Sequence, residues 1–244
     1  MKKFDDGLHK PLADGRMSTP KTSNLNFLSD LPETLFLKLF KEATACNLRS
    51  GESLFRAGDS GDGCYRIQTG FVKIVVASQQ GEERIISLLG PGAIVGELSI
   101  IDGEPRSASV FAVSDCSLSF VSRSKFEKFT EAHPELTRYL VRTLALRLRK
   151  ADDALAATTF LSVKGRLARA LLNLAEYAGE DNNGRIELRH KISQGDLAAM
   201  AGVARENVSR TMSDWRKRDI VTRSSDYYCI IDRTALAREM EASS

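Results

Sequence analysis

Glycine spacing in the first half of the chain is the strongest constraint on its fold. Ten of the 17 glycines lie between Leu48 and Val121, at short intervals. The segments between and after them, which include YRIQTGFVKIVVAS, RIISLL, SASVFAVS and SLSFVS, alternate in polarity or are rich in β-branched residues. Short strands separated by regular turns are typical of a jelly roll or small barrel. Because helical patterns follow, the sequence predicts an α+β fold that begins with such a β-roll.

Length and composition limit the remaining choices. The 244 residues suffice for two modest domains or one large β domain. A net charge of +3 does not indicate nucleic-acid binding by itself, so any basic surface must be local. No apolar run approaches the roughly 20 residues that span a bilayer, and residues 1–26 form a polar arm with no apolar signal core. We expect a flexible arm, a cytoplasmic protein and no membrane partner.

The cysteines and histidines are too scattered to predict a metal site. The four cysteines contain no C-x-x-C pair, and the three histidines are equally dispersed. Metal and iron–sulfur sites usually have clustered ligands, so neither is expected. The cysteines are interpreted as small apolar side chains in a reducing compartment. A redox role for Cys46 or Cys64 stays open as the alternative.

Helical patterns flank the β segment. LSDLPETLFLKLFKEA predicts a short helix that Asp30 caps and that has Pro32 in its first turn. From Arg123 to Thr159 the chain is again helical, and a break near Leu161 precedes a further helix that ends at Gly179 with EDNNG. One apolar stripe runs along the long helical segment: Leu140, Leu144, Leu148, Ala151 and Leu155. It predicts a two-stranded coiled coil in a homodimer; packing on the chain's own β-roll is the alternative.

The segment ISQGDLAAMAGVARENVSRTMSDWRKRDIV predicts a helix-turn-helix. Ser193 and Asp196 form a capping-box pattern, and Gly202 permits the tight turn between the two helices. Four side chains project from the N-terminal turns of the second helix, where a recognition helix enters the major groove: Arg205, Glu206, Ser209 and Arg210. IVTRSSDYYCIID predicts a β-hairpin, which makes this a winged helix.

The chemistry of these side chains suits DNA. Arginine can donate to O6 and N7 of guanine, and glutamate can accept from N4 of cytosine. Basic side chains around the motif are candidates for phosphate contacts: Lys191, Arg216, Lys217, Arg218 and Arg223. The alternative is that RENVSR is a solvated helix face with an internal pairing of arginine and glutamate.

A second polar constellation lies in GELSIIDGEPRSA. Glu97 and Arg106 stand near the ends of a short glycine-punctuated stretch with an apolar middle, and Ser107 follows the arginine. We interpret it as a partly buried turn. Either the two charges satisfy each other, or they bind a ligand that has both hydroxyls and an anionic group. An arginine fork and turn N–H groups suit a phosphate.

Taken together, GELSIIDGEPRSA, GRLARALLNLA and ARENVSR resemble the cyclic AMP receptor protein and fumarate–nitrate regulator (CRP/FNR) superfamily of bacterial transcription regulators. The resemblance covers about residues 27–232. It implies a cyclic-nucleotide-binding-type β-roll (27–122), a dimerisation helix region (123–160) and a winged helix-turn-helix domain (161–244) after the arm (1–26). It also implies a homodimer on a palindromic double-stranded DNA operator, with RNA polymerase as a further partner.

The resemblance assigns roles to individual residues. Gly96 would let the backbone approach the sugar-phosphate, Glu97 would accept from the ribose 2′-hydroxyl, and Arg106 with Ser107 would hold the cyclic phosphate. Leu98 and Ala108 complete the ligand-binding stretch. The Arg-Glu-x-x-x-Arg pattern, at Arg205, Glu206 and Arg210, implies a TGTGA-like half-site. The oxygen-sensing branch's four-cysteine signature and a haem-ligand pattern are both missing from the sequence.

One departure from the family concerns the base of the nucleotide. Ala151 and Asp152 stand where cyclic-AMP-responsive members have a Thr-Ser pair that contacts adenine. A carboxylate can accept from the adenine amine or from the N1–H and N2–H₂ edge of guanine. We therefore predict an effector that is cyclic AMP, cyclic GMP or both; the alternative is that Asp152 is an exposed helix charge.

The function predicted from the sequence is an allosteric DNA-binding regulator that responds to a cyclic nucleotide. The alternative keeps the DNA role but has a different effector or none, with Glu97 and Arg106 as structural residues. An enzyme is not expected, because the sequence contains no Walker A, H-E-x-x-H or G-x-S-x-G motif and no catalytic residues are assigned.

Overall fold

The computed structural model describes residues 33–182, 184–188, 190–224 and 227–241. The predicted flexible arm and the helix cap at Asp30 lie outside the described residues, as does the tip of the predicted wing at 225–226.

The first half of the described chain is a β-roll that follows one short helix. Its elements are α1 (Glu33–Leu39), β1 (Thr44–Leu48), β2 (Ser53–Phe55), β3 (Gly63–Thr69), β4 (Val72–Ala77), β5 (Glu83–Leu89), β6 (Ile94–Val95), α2 (Glu97–Asp102), β7 (Ser109–Ala112) and β8 (Cys116–Ser122). The strands form two four-stranded sheets, in the orders β1-β8-β3-β6 and β2-β7-β4-β5. Every strand pair in them is antiparallel.

The two sheets share one apolar core. Ile67 and Leu118 lie opposite each other on β3 and β8, and Val72, Leu89 and Val110 of the other sheet pack in the same buried cluster. Alternate residues of each strand therefore point inward, as the alternating sequence pattern predicts. The predicted α+β class and the N-terminal β-roll are confirmed.

The segment 96–108 contains a helix that the sequence interpretation missed. Helix α2 begins directly after Gly96 and ends at Asp102, where Gly103 caps it in a left-handed conformation. The predicted turn is therefore wrong for residues 97–102, because six residues are too few to show helical periodicity. Glu97 is the first residue of α2 and is buried, so its backbone belongs to a regular helix and not to a turn.

The long helical segment is two helices. They are α3 (Arg123–Ala132) and α4 (Pro134–Phe160), and α5 (Val163–Ala178) follows the predicted break. The break at His133 has a local cause, since proline is disfavoured inside a helix but is well suited to the first position of a new one. Ser162 caps α5 by accepting a hydrogen bond from the N–H of Gly165, 3.1 Å away.

The apolar stripe of α4 divides into two parts. Leu140 is only 7% exposed and packs in the intrachain core that includes Leu136 and α3, so most of its surface is already covered within one chain. Leu144 is half-buried, whereas Leu148 is 64% and Leu155 69% exposed. The N-terminal part of the stripe therefore packs on the chain's own domain, whereas Leu148 and Leu155 in its C-terminal part are largely exposed in the described chain.

The last third of the chain is a second unit around Trp215, which is fully buried. Its further elements are β9 (Gly179–Asn182), β10 (Arg185–Leu188), α6 (Gln194–Ala201), α7 (Arg205–Lys217), β11 (Val221–Ser224), β12 (Tyr227–Ile230) and α8 (Arg233–Glu241). Strands β11 and β12 form the predicted wing hairpin, which lies in a sheet of order β11-β12-β10-β9. Helix α5 ends at Ala178, as Gly179 with EDNNG predicts, and residues 179–182 then form β9, which the sequence analysis did not predict.

The β4–β5 hairpin joins the two units. Lys73 on β4 donates a hydrogen bond of 2.8 Å from Nζ to Oδ1 of Asp196 on α6, and both side chains are 27% exposed. Leu88 on β5 is buried in the core of the C-terminal unit. The rings of Phe71 and His190 also meet, with centroids 3.9 Å apart. The helix-turn-helix is therefore docked on the β-roll in this structure.

Candidate functional site

A cavity of about 580 Å³ lies between the β-roll and α4. We call it the effector cavity. Seven of the eight predicted ligand-binding residues line it: Gly96, Glu97, Leu98, Arg106, Ser107, Ala108 and Ala151. The eighth, Asp152, is exposed and is not among the lining residues of this single chain. Most of the other lining side chains are apolar, so the polar groups lie within a largely apolar surface.

Arg106 is the centre of charge in this cavity. Its guanidinium is buried (3% exposed), and it donates from Nη1 to the carbonyl of Gly96 at 2.7 Å and from Nη2 to Oδ1 of Asp62 at 2.8 Å. The ring of Phe55 lies 4.2 Å below the guanidinium carbon. Nε is buried and has no acceptor in the described structure. A buried donor without a partner is uncommon, and the residue that carries it lines the cavity.

Gly96 has to be a glycine for two reasons. Its φ is +82°, a left-handed conformation that side chains rarely adopt. A Cβ at this position would also collide with the guanidinium of Arg106. The glycine therefore lets the backbone carbonyl approach Arg106 and hold it in place.

The two other polar members of the predicted set differ in burial. Glu97 is 5% exposed, whereas Ser107 is exposed and lies beside Arg106 in sequence. The carboxylate that pairs with Arg106 is that of Asp62. The sequence analysis missed this partner because Asp62 lies 44 residues from Arg106 in the chain. Ser87 on β5 and Thr158 on α4 also line the cavity and were missed. No local sequence pattern signals either of them.

The helix-turn-helix has the predicted local geometry. The side chain of Ser193 accepts from the N–H of Asp196, and Asp196 accepts in return from the N–H of Ser193, so the capping box is complete. Although burial opposes it, hydrogen bonds from Lys73 and Ser193 hold the pKa of Asp196 below its usual value. Gly202 ends α6 with φ of +65°. The second helix, α7, is held by Val208, which is fully buried.

All predicted DNA-binding side chains are exposed on this unit: Arg205, Glu206, Ser209, Arg210, Lys191, Lys217 and Arg218. Arg210 and Arg218 are among those that also have intrachain partners. Arg210 donates to Oδ1 of Asn207 at 2.8 Å. Arg218 pairs with Glu239 at 2.6 Å and with Asp214 at 3.4 Å, so a phosphate would have to compete with two carboxylates there.

Comparison with known proteins places this geometry in a family. The cyclic nucleotide-binding domain family matches residues 45–133, and the Crp-like helix-turn-helix domain family matches residues 165–239. A Mycobacterium tuberculosis protein named CRP-like cAMP-activated global transcriptional regulator is 32% identical over 200 residues, which cover 82% of this chain and 89% of that protein. The chain belongs to the CRP/FNR superfamily.

Further members of the CRP/FNR superfamily match over most of the chain. The cyclic AMP receptor protein of Thermus thermophilus is 34% identical over 171 residues, 70% of this chain and 76% of that protein. The crystal structure of a CRP/FNR family transcriptional regulator from the same species superimposes with a TM-score of 0.69 at 23% identity, covering 82% of this chain and all of that one. The matched relatives are DNA-binding transcription regulators and not enzymes.

The described residues give no support for a metal site or a reactive cysteine. Within the described residues no three His, Cys, Asp or Glu side chains are grouped so that they could hold a metal ion. Burial raises the pKa of the Cys64 thiol far above its usual value and also raises that of Cys46. Protonated thiols are poor nucleophiles, which disfavours the alternative of a redox sensor. No helix in the described part is long and apolar enough to cross a membrane.

Proposed function

We propose that the protein is a homodimeric transcription regulator whose operator affinity is controlled by a cyclic nucleotide in the effector cavity. The observation that carries the proposal is the buried guanidinium of Arg106, whose Nε lacks an acceptor in a cavity that Glu97 and Ser107 also line. In this proposal residues 27–122 bind the effector, residues 123–160 dimerise and residues 161–244 bind DNA. RNA polymerase is the proposed partner at the promoter.

Each polar group has a proposed role in nucleotide binding. Arg106 donates to the cyclic phosphate, and Ser107 adds a hydroxyl donor at the exposed side. Glu97, at the start of α2, accepts from the ribose 2′-hydroxyl. Gly96, Leu98 and Ala108 form the wall that lets the sugar-phosphate approach the backbone.

The proposed nucleotide is cyclic AMP, cyclic GMP or both. Relatives of 32% and 34% identity are named for cyclic AMP, which supports the adenine nucleotide. The exposed Asp152 does not line the cavity of one chain, so it can meet a bound base only across a seam between two copies. Isothermal titration of the full chain with cyclic AMP and with cyclic GMP, repeated on Asp152→Ala, shows which nucleotide binds and whether Asp152 contributes to its affinity. A selective loss of cyclic GMP affinity in the variant supports the guanine hypothesis.

One observation favours a second candidate function. Arg106 already has Asp62 and Gly96 as partners, so it can be structural in a regulator with another effector or none. Negligible heats for both cyclic nucleotides, together with operator binding that neither nucleotide changes, would establish this second candidate and exclude the first.

Replacing Arg205 or Arg210 with alanine is expected to cost about 1–3 kcal/mol of operator binding and to relax specificity at one base position. Both side chains are exposed on α7, and we propose that they read guanines of a palindromic TGTGA-like site while Glu206 reads a cytosine. Fluorescence anisotropy on operators with single base changes measures both effects. A loss that is equal across all operator variants would mean that the arginine touches only phosphate.

The docked arrangement of the two units supports a role in control. A groove between the β4–β5 hairpin and the helix-turn-helix is lined by Glu82, Glu83 and Arg205. The N-terminus of a recognition helix must enter the major groove, and the β4–β5 hairpin lies beside Arg205 at the start of α7 in this groove. We propose that the docked arrangement is unable to bind the operator, and that the nucleotide shifts the population away from it towards recognition helices about 34 Å apart.

Lys73→Met is expected to raise operator affinity in the absence of nucleotide by about three- to tenfold, because it removes an interdomain ion pair worth about 1 kcal/mol. Affinity at saturating nucleotide should stay unchanged, since the pair is already broken there. Lys125→Met is the matched control, because its ion pair with Glu42 lies within the N-terminal unit. An equal rise with and without nucleotide would contradict the proposed docking.

A further inference from the structure

A second cavity lies between the two units, next to the effector cavity. It has a volume of about 370 Å³, within the range of roughly 300–1,000 Å³ that is common for small-molecule sites. Strand β5, the C-terminal end of α4, and helices α5 and α6 enclose it. We call it the interdomain cavity.

The charges that line the interdomain cavity are all positive. Arg84 on β5 and Arg166 and Arg169 on α5 contribute guanidinium groups, and no acidic side chain is among the lining residues. The neighbouring groove at the hairpin differs, because Glu82, Glu83 and other charged groups of both signs line it. No carboxylate therefore lines the interdomain cavity itself, although Arg84 also lines the groove that contains Glu82 and Glu83.

The arginines also keep unused donors. The exposed side chain of Arg84 makes no hydrogen bond or ion pair within the described part of the chain, and Nε of Arg166 is buried without an acceptor. Arg169 uses Nη1 on the carbonyl of Asp153, 2.7 Å away, which leaves its remaining donors available. Three guanidiniums that share one cavity repel each other. An anion that accepts hydrogen bonds from them would reduce this repulsion and would supply an acceptor for their free donors.

The remaining lining residues indicate the rest of the ligand. Ser87, Thr158 and Asn173 add neutral polar groups, and most of the others are apolar or small, including Ile86 and Met200. A bare inorganic anion would leave this apolar wall unused. We propose that the interdomain cavity binds a phosphorylated small molecule of nucleotide size that carries at least two negative charges.

Binding there has a predictable direction of effect on DNA. The ligand would bridge β5 of the effector domain and α5 of the DNA-binding domain, so it would favour the docked arrangement over any other. Because a ligand shifts an equilibrium towards the state that it binds, it would weaken operator binding and oppose the cyclic nucleotide. This effect rests on the proposed function, whereas the binding itself does not.

Isothermal titration of the full chain with ADP, GDP, sodium pyrophosphate and adenosine tests the site. We expect both nucleoside diphosphates to bind, pyrophosphate to bind more weakly and adenosine not to bind. Arg84→Gln and Arg169→Gln should each lower ADP affinity about tenfold or more, since a charge-assisted bond to phosphate is lost. Arg138→Gln, an exposed arginine of α4 outside both cavities, should change nothing.

Two further comparisons separate this site from the effector cavity. Arg106→Gln should keep ADP affinity, and Arg84→Gln should keep any cyclic nucleotide affinity, because Arg84 does not line the effector cavity. Unchanged ADP affinity in both Arg84→Gln and Arg169→Gln, or its joint loss with cyclic nucleotide binding in Arg106→Gln, would overturn the proposal. Pyrophosphate that binds as tightly as ADP would overturn its organic part.

The regulatory half is measured separately, by anisotropy with a labelled operator. ADP should raise the operator Kd of the unmodified chain and leave that of Arg84→Gln unchanged. Binding without any change in operator Kd would overturn the regulatory effect and leave the site itself standing. If no operator binds at all, the titrations still decide the site, so failure of the proposed function is distinguishable from failure of this one.

Discussion

Arg106→Gln is expected to lower the affinity for a cyclic nucleotide by a hundredfold or more. The buried guanidinium is the cationic side chain that lines the effector cavity in the described structure. Losing two charge-assisted hydrogen bonds to a phosphate costs roughly 3–6 kcal/mol, at about 1.5–3 kcal/mol each. Asp62 is 65% exposed and can be solvated once its partner is removed, so the fold should survive. Isothermal titration with cyclic AMP and cyclic GMP measures the loss.

The control for this variant is Arg49→Gln, which removes an exposed arginine of the same domain outside the cavity. Circular dichroism melting of both variants checks that they fold. Retention of nucleotide affinity in a folded Arg106→Gln protein would contradict the proposed role and would favour the structural role that Asp62 supports.

Leu148→Glu is expected to convert a dimer of about 54 kDa into a monomer of 26.9 kDa. Leu148 is 64% exposed on α4 and stands in the C-terminal part of the apolar stripe, where a second copy would cover it. Two buried glutamates facing each other would lose hydration without gaining a partner, at a cost of several kcal/mol. Operator affinity should fall by about two orders of magnitude, because each half-site would then be bound separately.

Light scattering after size exclusion at micromolar concentration measures the mass, and anisotropy with a palindromic operator measures affinity. Leu37→Glu is the matched control, because Leu37 is 59% exposed but lies on α1, away from the stripe. A monomeric unmodified chain, or a Leu148→Glu chain that stays dimeric, would show that the stripe does not join two copies.

Local signals in the sequence predicted most of the fold. Glycine spacing and strand alternation depend on neighbouring residues, and so does the Ser193–Asp196 capping box, whose geometry is complete in the structure. Strand β9 was missed because GEDN has low β-propensity, and its pairing with β10 depends on tertiary context. Helix α8 after the wing was also missed.

The candidate site was predictable in its linear motif and not in its long-range contacts. Seven residues that line the effector cavity were predicted from the sequence. Six of them lie in the continuous segment GELSIIDGEPRSA, and the seventh is Ala151 on α4. Asp62 and Arg106 lie 44 residues apart, and Lys73 and Asp196 lie 123 apart, so no spacing rule pairs them. The apolar periodicity of α4 likewise does not indicate that Leu140 is buried in the core of its own chain.

Strand β5 has a consequence for handling the protein in pieces. It is an edge of its sheet, and in the intact chain α6 lies against it while Leu88 is buried in the C-terminal core. An open edge with an apolar side chain is a template for strand addition by another molecule. A fragment cut at residue 160 would therefore tend to self-associate and precipitate. The DNA-binding domain thus also acts as a solubilising cover for the domain that precedes it.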